Sequence, residues 1–451
     1  MTIAQPHSAA QAAPQAAEQP DPLVPQGSRG LPGATERSAS CREDPEIFDV
    51  VVIGGGPSGA TAATELARRG RRVALVDRAG RIKPCGGAIP TALIEEFAIP
   101  ESLLVARVTA ARMVAPSRRE VGMPVTSGFV GMVDREHFDE WLRNRAAIAG
   151  AQRITGTFDR VERSQDPSDG SAEAKAAGGA SPAPLRVHLR DADGMPRTLR
   201  ARTLIGADGA RSRVAQQCIP GSDKTKYVFA YHEIVASPAV HGDFDAKRCD
   251  VHYRGEISPD FYGWVFPHGA TTSVGSGSAI QGFSVRRAVD ALRRDTGLAD
   301  AATIRREGAP IPMRPLDRWD NGRDIVLAGD AAGVVAPASG EGIYYAMAGG
   351  QFAADAIHGL LATGDVRCLK QARRQFMKRH GRVFWVLGIM QRFWYSSDKR
   401  REAFVKICAD KDVQELTWQS YLHKRLVRKK PLAHVRIFFK DLAHLLGFAR
   451  T

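Results

Sequence analysis

Residues 49–60 read Asp49-Val50-Val51-Val52-Ile53-Gly54-Gly55-Gly56-Pro57-Ser58-Gly59-Ala60. The apolar run at the start of this stretch predicts a parallel strand buried on both faces. Glycines 54, 56 and 59 then form the pattern G-x-G-x-x-G. Small and apolar residues follow up to Arg68-Arg69-Gly70, which is typical of a short helix and its end. A second apolar run ends on Asp77, 23 positions after Gly54.

This order of strand, glycine turn, helix, strand and acid predicts a dinucleotide-binding unit over residues 47–80. The first glycine permits the tight turn, the second lets the backbone approach a pyrophosphate, and the third brings helix and strand together. Free N–H groups at the helix start attract phosphate charge. Asp77, with Arg78 after it, ends the second strand, where a carboxylate accepts hydrogen bonds from ribose hydroxyls. The alternative is a glycine-rich turn in another kind of α/β protein.

Size and composition fit a globular chain of two or three domains, with 451 residues, 43% hydrophobic and 25% charged. No apolar run approaches the roughly 20 residues of a membrane-spanning helix, so we expect none. The six cysteines show neither C-x-x-C nor Cys/His ligand spacing. We therefore expect no metal site, no disulfide framework and a reducing compartment.

Positive charge is concentrated near the end of the chain. The formal net charge is +14, and residues 371–451 alone hold 19 Lys or Arg against 6 Asp or Glu. Such a block indicates an acidic partner surface, either anionic lipid or nucleic acid, or else a solvated helical face. No nucleic-acid-binding module is recognisable, so we expect no nucleic-acid partner.

Both ends and one internal stretch stand apart in composition. Residues 1–46 hold seven prolines and nine alanines, which predicts a disordered tail. Residues 164–184 are rich in small and polar residues and predict a mobile insert between strands. Residues 361–451 are predicted to be mostly helical and include the basic run Lys424-Arg425-Leu-Val-Arg428-Lys429-Lys430.

Two later apolar runs also end in polar turns. The run at 203–206 leads into Asp208-Gly209 and then Arg213. The run at 324–328 leads into Gly329-Asp330. Shortly afterwards comes Ser339-Gly340-Glu341-Gly342-Ile343, where a helix of about 18 residues is predicted to begin.

A basic, glycine-rich loop lies between these runs. It reads Arg81-Ile-Lys83-Pro84-Cys85-Gly86-Gly87-Ala-Ile-Pro90, and adjacent glycines favour close approach to a flat ligand. Farther along, Phe138, Trp141 and Leu142 have helical spacing, with Arg135 at the helix start, within reach of a phosphate or ribityl oxygen. Residues 105–130 and 225–304 predict short strands.

Taken in order, the glycine pattern, the Asp-Gly turn and the late Gly-Asp resemble the FAD-binding fold of aromatic hydroxylases. The resemblance implies that Asp77 holds the adenosine ribose, that Asp208-Gly209 lies near the pyrophosphate, and that Asp330 binds the ribityl chain. It also implies that the positive end of the helix after Gly342 faces the flavin pyrimidine. The full set of implied FAD-binding residues is Gly54, Gly56, Pro57, Ser58, Gly59, Asp77, Arg78, Cys85, Gly86, Arg135, Asp208, Gly209, Arg213, Gly329, Asp330, Gly340, Gly342 and Ile343.

The same resemblance implies an α/β fold with a Rossmann-like FAD-binding domain, an antiparallel-sheet substrate domain and a helical C-terminal region. After the tail at 1–46, the FAD-binding domain would be discontinuous, at 47–105, 131–225 and 305–360. The substrate domain would take 106–130 and 226–304. The basic helical region would follow at 361–451.

Further motifs are similar to those of a narrower group, the geranylgeranyl reductases. They are Lys83 to Pro90, the pattern Pro259-x-x-Tyr262-x-Trp264-x-Phe266-Pro267, Ala332-Gly333 with Ser339 to Ile343, and Tyr395 to Glu402 followed by Asp412-Val413-Gln414. The resemblance covers about residues 47–447. The tail, the insert and an aspartate at 77, where many flavoproteins carry glutamate, depart from the pattern.

The narrower resemblance implies an FAD-dependent, NADPH-driven reductase of the (bacterio)chlorophyll pathway. It would saturate three isolated double bonds of a geranylgeranyl chain to give phytyl. The substrate would be geranylgeranyl diphosphate or geranylgeranyl-(bacterio)chlorophyll. The alternatives are an FAD-dependent aromatic monooxygenase and a non-catalytic prenyl carrier.

An isolated alkene is not activated toward hydride, so its reduction needs a proton donor and a dry, electron-rich pocket. Tyr262, Trp264 and Phe266 alternate along a predicted strand, which would place them on one wall of an isoprenoid tunnel. Gly86 and Gly87 would complete the substrate contacts. Cys85 and Tyr262 are the candidate proton donors. The alternatives are that the three aromatic residues only fill the core and that Cys85 is only a small loop residue.

The C-terminal charge, together with a long apolar substrate, predicts a peripheral protein on an anionic membrane surface. We expect a cytoplasmic location on the inner or photosynthetic membrane. Salt should weaken such binding. The sequence predicts no particular oligomeric state.

Overall fold

The computed structural model describes residues 42–78, 80, 82–163, 183–239 and 243–424. Most of the predicted tail, nearly all of the predicted insert, and the basic run from residue 425 onward lie outside these ranges. The first strand begins at Arg42, within the last residues of the segment predicted as a tail.

In chain order, the strands of the described residues are β1 (Arg42–Ile53), β2 (Val73–Asp77), β3 (Ala88–Pro90), β4 (Leu104–Val108), β5 (Ala110–Val114), β6 (Glu120–Pro124), β7 (Val130–Val133), β8 (Gln152–Thr155), β9 (Thr157–Arg163), β10 (Leu185–Arg190), β11 (Pro196–Gly206), β12 (Tyr227–Ala236), β13 (Arg248–His252), β14 (Gly263–His268), β15 (Thr271–Ser278), β16 (Thr303–Pro312) and β17 (Ile325–Leu327). The α-helices are α1 (Pro57–Arg68), α2 (Thr91–Glu96), α3 (Arg135–Ile148), α4 (Arg213–Cys218), α5 (Val285–Asp295), α6 (Ile343–Thr363), α7 (Lys370–Trp394), α8 (Asp398–Ile407) and α9 (Lys411–His423).

The first sheet has the order β8-β2-β1-β11-β10-β9, with β17 also paired to β11. Strands β8, β2, β1, β11 and β17 run parallel, and β10 pairs antiparallel with both β11 and β9. The residues of β1 from Val50 to Ile53 are buried, as are those of β17. The parallel strand, glycine turn, helix and second strand predicted from residues 49–77 are confirmed.

The second sheet has the order β16-β12-β15-β14-β13-β5-β6 and is antiparallel except for the parallel pair β13–β5. A small third sheet joins β3, β7 and β4. The predicted strands of 105–130 are therefore shared between two sheets. Strand β16 pairs with β12, so the second sheet extends past residue 304. Helix α5 interrupts a region where the sequence was expected to form only strands.

Helices α1 and α6 cross at very close range against the first sheet. A Cβ at Gly350 would stand 2.3 Å from the Ser58 carbonyl oxygen, and one at Gly329 would stand 2.4 Å from Ser58 Oγ. Because glycine has no Cβ, neither position clashes with Ser58. The close crossing fixes the start of α1 relative to the start of α6.

Helix α6 spans 21 residues, slightly longer than predicted, and packs against α7 through aromatic rings. His380 on α7 lies among these rings, 5.2 Å from Tyr345 and 5.0 Å from Phe376 between ring centroids. Burial, and then the positive charges of Arg379 and Lys424, lower the pKa of His380 from 6.5 to about 3. The imidazole is therefore neutral in the fold at any ordinary pH.

We predict that His380→Phe makes the protein less sensitive to acid. Above pH 6.5 the histidine is neutral in both states, but below it only the unfolded chain takes up a proton, so stability is lost as the pH falls toward 3. At about 1.4 kcal/mol per pH unit, the loss between about pH 6.5 and pH 5 is about 2 kcal/mol. Urea unfolding at these two pH values should show this loss in the wild type, and a loss smaller by about 2 kcal/mol in the variant. If the wild type and the variant lost the same free energy of unfolding, His380 would take up its proton in the folded protein as well.

Candidate functional site

Four loops meet at one edge of the first sheet. The register pairs Ile53 with both Val76 and Gly206, and Gly206 with Leu327, so these parallel strands end side by side. Across the edge, the order of the following loops is Asp77, the glycine loop, Asp208 and Asp330. The glycine loop and the three acidic turns singled out in the sequence therefore lie next to one another.

The glycine loop has the geometry of an anion site. A Cβ at Gly54 would stand 2.3 Å from the carbonyl oxygen of Ala207, and one at Gly59 would stand 1.8 Å from that of Gly54. These two glycines are required by close packing. In contrast, no atom lies within 4 Å of a Cβ placed on Gly56, so this position faces open space.

Helix α1 begins at this open position. Gly56 is its N-cap, Pro57 is its first residue, no side chain caps the helix, and no acid occupies its first turn. Ser58 is buried in the crossing with α6. The unpaired N–H groups of the first turn are therefore available to a phosphate.

The carboxylate of Asp77 lies at the next strand end and pairs with Arg143 of α3, with Nη1 3.0 Å from Oδ2. The same guanidinium group pairs with Glu140, 2.9 Å away. Arg78 is exposed directly after β2. Asp77 is only partly buried and keeps acceptor capacity for a ribose hydroxyl.

The Asp208 turn packs against the glycine loop, because the Asp208 Cα lies 3.0 Å from a Cβ placed on Gly54. Its carboxylate accepts hydrogen bonds from Ser212 Oγ and from the backbone N–H groups of Arg213 and Val214 at the start of α4. Burial raises the Asp208 pKa against the opposing effect of these hydrogen bonds. The carboxylate therefore holds the turn in shape.

The two residues beside Asp208 lie in different surroundings. Gly209 has φ +89° and open space around a Cβ position, so backbone is exposed at this point. The Arg213 guanidinium group donates to the Phe158 carbonyl of β9, 3.1 Å away.

At the far end of the edge, Asp330 accepts a hydrogen bond from Lys83 of the basic loop. Its Oδ1 lies 3.8 Å from a Cβ placed on Gly342, the N-cap of α6. Helix α6 likewise has no side-chain cap and no acid in its first turn, and its first residue, Ile343, is buried. A second positive helix end therefore lies beside an acid and a lysine.

The residues Cys85-Gly86-Gly87 of the basic loop, called the Cys-Gly-Gly loop below, pack against β14. A Cβ on Gly86 would lie 3.2 Å from Phe266, and one on Gly87, which has φ +68°, would lie 2.4 Å from His268 Nε2. The Cys85 sulfur accepts a hydrogen bond from the Gly87 N–H at 3.4 Å. These contacts bring the loop from the first half of the chain to the aromatic strand of the second sheet.

Arg135 lies behind this loop and is buried. Its guanidinium forms two hydrogen bonds with Asp139, at 2.8 and 2.6 Å, and also contacts Cys85. Despite burial, the Asp139 carboxylate and then Cys85 raise the Arg135 pKa. The arginine therefore places a fixed positive charge beside the thiol, and Asp139 occupies two of its N–H groups.

Trp264 and Phe266 on β14 and Tyr262 directly before it form a row of rings, with successive ring centroids 6.0 and 6.3 Å apart. The Tyr262 hydroxyl donates to the Ser339 carbonyl at 2.6 Å and lies 3.1 Å from a Cβ placed on Gly340. The aromatic row thus reaches from the Cys-Gly-Gly loop to the loop before α6. Burial raises the Tyr262 pKa, so the phenol is a weaker acid than in water.

These features fit FAD. The open space at Gly56 and the uncapped start of α1 suit the pyrophosphate, and Asp77 and Asp330 on either side carry acceptor oxygens of the kind that ribose and ribityl hydroxyls require. The uncapped start of α6 suits the electron-rich end of the flavin ring. In the described part of the chain, no cluster of His, Cys, Asp or Glu is arranged to hold a metal ion.

The structure adds four residues to those expected from the sequence: Arg143 on Asp77, Lys83 on Asp330, and the buried pair of Glu341 and Lys424. Lys83 and Glu341 lay inside quoted motifs, but no role followed from spacing. Glu341 could have been singled out, because it is an acid inside a motif of otherwise small and apolar residues. Arg143 gave no signal and Lys424 stood out only as the start of a basic run, because the partners of both residues are far away in sequence.

Comparison with known proteins agrees with this geometry. Residues 48–237 match the pyridine nucleotide-disulphide oxidoreductase family, and residues 181–375 match the FAD binding domain family. The chain is 53% identical over 400 residues to geranylgeranyl diphosphate reductase of Rhodobacter capsulatus, covering 89% of this chain and 98% of that protein. It is 35% identical over 416 residues to the Synechocystis protein of the same name, covering 89% and 98%.

Solved structures share the fold. A geranylgeranyl bacteriochlorophyll reductase-like protein from Thermoplasma acidophilum superposes with a TM-score of 0.70 at 20% identity, covering 87% of this chain and 99% of that one. The p-nitrophenol 4-monooxygenase of Pseudomonas putida gives a TM-score of 0.62 at 14% identity, covering 84% and 98%.

Fold and site together define an FAD-dependent oxidoreductase of the aromatic-hydroxylase type. The sequence identity over nearly the whole length of the relatives narrows this class further. The chain belongs to the geranylgeranyl diphosphate reductase family.

Proposed function

We propose that this protein uses NADPH and FAD to saturate three isolated double bonds of a geranylgeranyl chain, giving phytyl for (bacterio)chlorophyll synthesis. The chain would be presented as the free diphosphate or esterified to (bacterio)chlorophyll. The observation that carries the proposal is the row of Tyr262, Trp264 and Phe266, which packs against the Cys-Gly-Gly loop through Phe266 and against Gly340 through Tyr262. The names of the relatives support the substrate class.

Bound FAD would supply the hydride, once reduced by NADPH. In this proposal the first sheet with α1 and α6 holds the cofactor, and the second sheet holds the isoprenoid. The buried faces of Tyr262 and Trp264 exclude water and stabilise positive charge that develops on an alkene carbon. Gly86 and Gly87 let the loop backbone lie close to the ring and the chain.

A proton must reach the second alkene carbon, and Cys85 is the better placed of the two predicted donors. Its thiol contacts the buried Arg135 guanidinium and belongs to the loop that packs against Phe266 of the aromatic row. The Tyr262 hydroxyl, in contrast, donates to the Ser339 carbonyl, and its raised pKa opposes proton release. We therefore assign the donor role to Cys85 and a wall role to Tyr262.

Turnover without oxygen tests the proposal against an FAD-dependent monooxygenase. A reductase should oxidise NADPH under anaerobic conditions when geranylgeranyl diphosphate is added, and should consume no oxygen in proportion to substrate in air. A monooxygenase would need oxygen for every turnover. A protein that binds the substrate without oxidising NADPH would instead be a carrier.

We further propose that the protein lies peripherally on the cytoplasmic side of an anionic inner or photosynthetic membrane. None of the described helices combines the length and apolar character that a membrane crossing requires. One face of α7 exposes Trp385, Val386 and Ile389, with Trp385 69% exposed. Exposed Lys378 and Arg382 lie one or two turns away on the same face. Tryptophan beside basic residues is suited to the interface of anionic lipid.

Trp385→Ser should weaken binding to vesicles containing anionic lipid. Inserting an indole is worth about 2 kcal/mol, so affinity should fall roughly 30-fold, and salt should weaken binding of both proteins. Vesicle co-sedimentation measures both effects. Ile148→Ser on α3 is the matched control, because Ile148 is 88% exposed on another helix. Unchanged binding of the Trp385 variant would show that α7 is not the membrane face.

A further inference from the structure

Ala338, in the loop that leads into α6, has a left-handed backbone although it is not a glycine. Its φ is +63°, and the residue is only 5% exposed. An L-residue adopts this conformation at a cost, and it does so in a buried loop only where its surroundings hold it there. Ala98 also has a positive φ, +49°, but it lies in an exposed turn after α2. The strained backbone at Ala338 therefore requires an explanation from its contacts.

Side chains at the end of α7 hold both backbone polar groups of Ala338. Its N–H donates a hydrogen bond to Gln391 Oε1 at 3.4 Å, and its carbonyl oxygen accepts one from the Tyr395 hydroxyl at 3.2 Å. Tyr395 is itself buried, with its ring centroid 5.2 Å from that of Tyr253. A change of the Ala338 backbone to a right-handed conformation would turn the N–H and carbonyl groups away from these two partners. The two side chains therefore oppose that change.

Gln391 also contacts the backbone just before the aromatic row. Its Nε2 donates a hydrogen bond to the Asp260 carbonyl at 3.3 Å, two residues before Tyr262. An amide is the side-chain group that offers an acceptor to one backbone N–H and a donor to one backbone carbonyl at the same time. Gln391 thus links the loop before α6 to the segment before β14.

The end of α7 is fixed in turn by Arg401 of α8. Its side chain is buried, and its guanidinium group donates hydrogen bonds to the carbonyl oxygens of Tyr395 and Pro259. The sequence motif at 395–402 is thereby joined to the start of the motif at 259–267. The side chains that hold Ala338 therefore have a fixed position relative to the aromatic row.

The backbone of Ala338 determines where Tyr262 can lie. The two residues that follow it in the chain are Ser339, whose carbonyl accepts the Tyr262 hydroxyl at 2.6 Å, and Gly340, whose Cβ position is 3.1 Å from that hydroxyl oxygen. The Tyr262 ring stacks on Phe261, with ring centroids 4.2 Å apart. If Ala338 changed its conformation, the Ser339 carbonyl would move and Tyr262 would lose its hydrogen bond.

We propose that Gln391 and Tyr395 are positioning residues of the alkene pocket, which hold Ala338 in its left-handed conformation and thereby fix Tyr262 at the head of the aromatic row. Neither side chain touches the reacting atoms. The inference rests on the proposed function, in which the aromatic row holds each alkene against the flavin. A wall residue displaced by about 1 Å can cost roughly 100-fold in rate, so a device that fixes Tyr262 matters for this reaction.

The test uses Gln391→Leu and Tyr395→Phe as FAD-loaded, full-length proteins. Each variant should slow the alkene step in single-turnover experiments by roughly 10- to 100-fold, and should change flavin reduction by NADPH less than about two-fold. Adding Ala338→Gly to either variant should restore the alkene step, because glycine adopts a positive φ without help. In the Ala338→Gly background, Gln391→Leu should lower the rate less than about three-fold.

Gln217→Leu is the matched control for the loss of a glutamine. Gln217 on α4 makes the same two kinds of hydrogen bond, accepting from the Val161 N–H at 3.2 Å and donating to the Asp159 carbonyl at 2.8 Å. Both of these partners belong to β9, away from the aromatic row. The variant should reduce alkenes at the wild-type rate.

Ala98→Gly is the matched control for the rescue. It relieves the same kind of backbone strain at an exposed turn, and should therefore add stability to Gln391→Leu, as measured by urea unfolding. It should leave the slow alkene step of Gln391→Leu unchanged. Equal rescue by Ala98→Gly and Ala338→Gly would show that Gln391 acts only through overall stability, and would overturn the proposal.

Hydrogen–deuterium exchange tests the same contacts without any reaction. The backbone amides at 338–340 should take up deuterium faster in Gln391→Leu and Tyr395→Phe than in the wild type. Unchanged uptake, or normal alkene reduction in both variants, overturns the proposal, and so does a failure of Ala338→Gly to restore the rate. A wild-type protein that reduces no alkene overturns the proposed function instead, while the exchange measurement still shows whether α7 holds the loop.

Discussion

Gly56→Val should give a folded protein that binds FAD poorly. The backbone at Gly56, with φ −73° and ψ −175°, is accessible to any residue, and no atom lies within 4 Å of an added Cβ. The fold therefore tolerates the side chain. The new methyl groups would occupy the space from which a pyrophosphate approaches the first turn of α1. Removing one hydrogen bond to a charged phosphate costs about 1.5–3 kcal/mol, so affinity should fall roughly 10- to 100-fold for each such hydrogen bond.

Flavin fluorescence during titration of the FAD-free protein measures this affinity, and urea unfolding of the same preparation measures stability. Gly122→Val is the matched control, since Gly122 on β6 also has open space around its Cβ position and no positive φ. It should bind FAD normally. Wild-type affinity in Gly56→Val would place the pyrophosphate elsewhere.

Cys85→Ala should slow alkene reduction much more than flavin reduction by NADPH. The thiol lies between Gly87 and the Arg135 charge, on the loop that packs against Phe266. Loss of a positioned general acid typically costs 10²- to 10⁴-fold, so we expect at least about a 100-fold decrease in the alkene step. The smaller side chain leaves the flavin edge intact, so NADPH should reduce FAD at nearly the wild-type rate.

Single-turnover experiments separate the two half-reactions. Cys218→Ala is the control, because Cys218 is also a half-buried free cysteine but belongs to α4. It should leave both steps unchanged. Equal slowing of both steps in Cys85→Ala would show that the residue positions the flavin, and no slowing would return the donor role to Tyr262.

The cofactor edge was largely predictable from the sequence because each of its parts is local. The strand, the glycine turn and the acid at the next strand end all lie within about 30 residues. The turns at Asp208 and Asp330 are local patterns too, since each directly follows an apolar strand. Parallel pairing then places all four at one edge without further information. The aromatic row on β14 was predictable for the same reason, since alternation is a property of one strand.

The charge pairs of the site were not predictable. Lys83 and Asp330 are separated by 247 positions, and Lys424 and Glu341 by 83. Which cation pairs with which acid depends on how helices and sheets pack, and the spacing of residues in the sequence does not reveal it. Arg135 shows the same limit, since its position at a helix start was foreseen while its pairing with Asp139 was not.

Helix α5 was missed although its signal was present. Ala288, Val289 and Leu292 are buried at helical spacing between charged residues. We predicted strands throughout that region because strand patterns and aromatic residues are frequent on both sides of the helix. The division of residues 105–130 between two sheets, in contrast, had no local signal, because β4 and β5 are neighbours in sequence with different partners.

We expect an FAD held at the ends of parallel strands to reduce isolated alkenes that lie along the β14 aromatics. Mass spectrometry of the product after anaerobic incubation with NADPH and geranylgeranyl diphosphate measures this reaction itself. Three successive products should form, each heavier than the last by two hydrogens. A product carrying oxygen in air, or an isoprenoid returned unchanged by protein that has bound FAD, would contradict it.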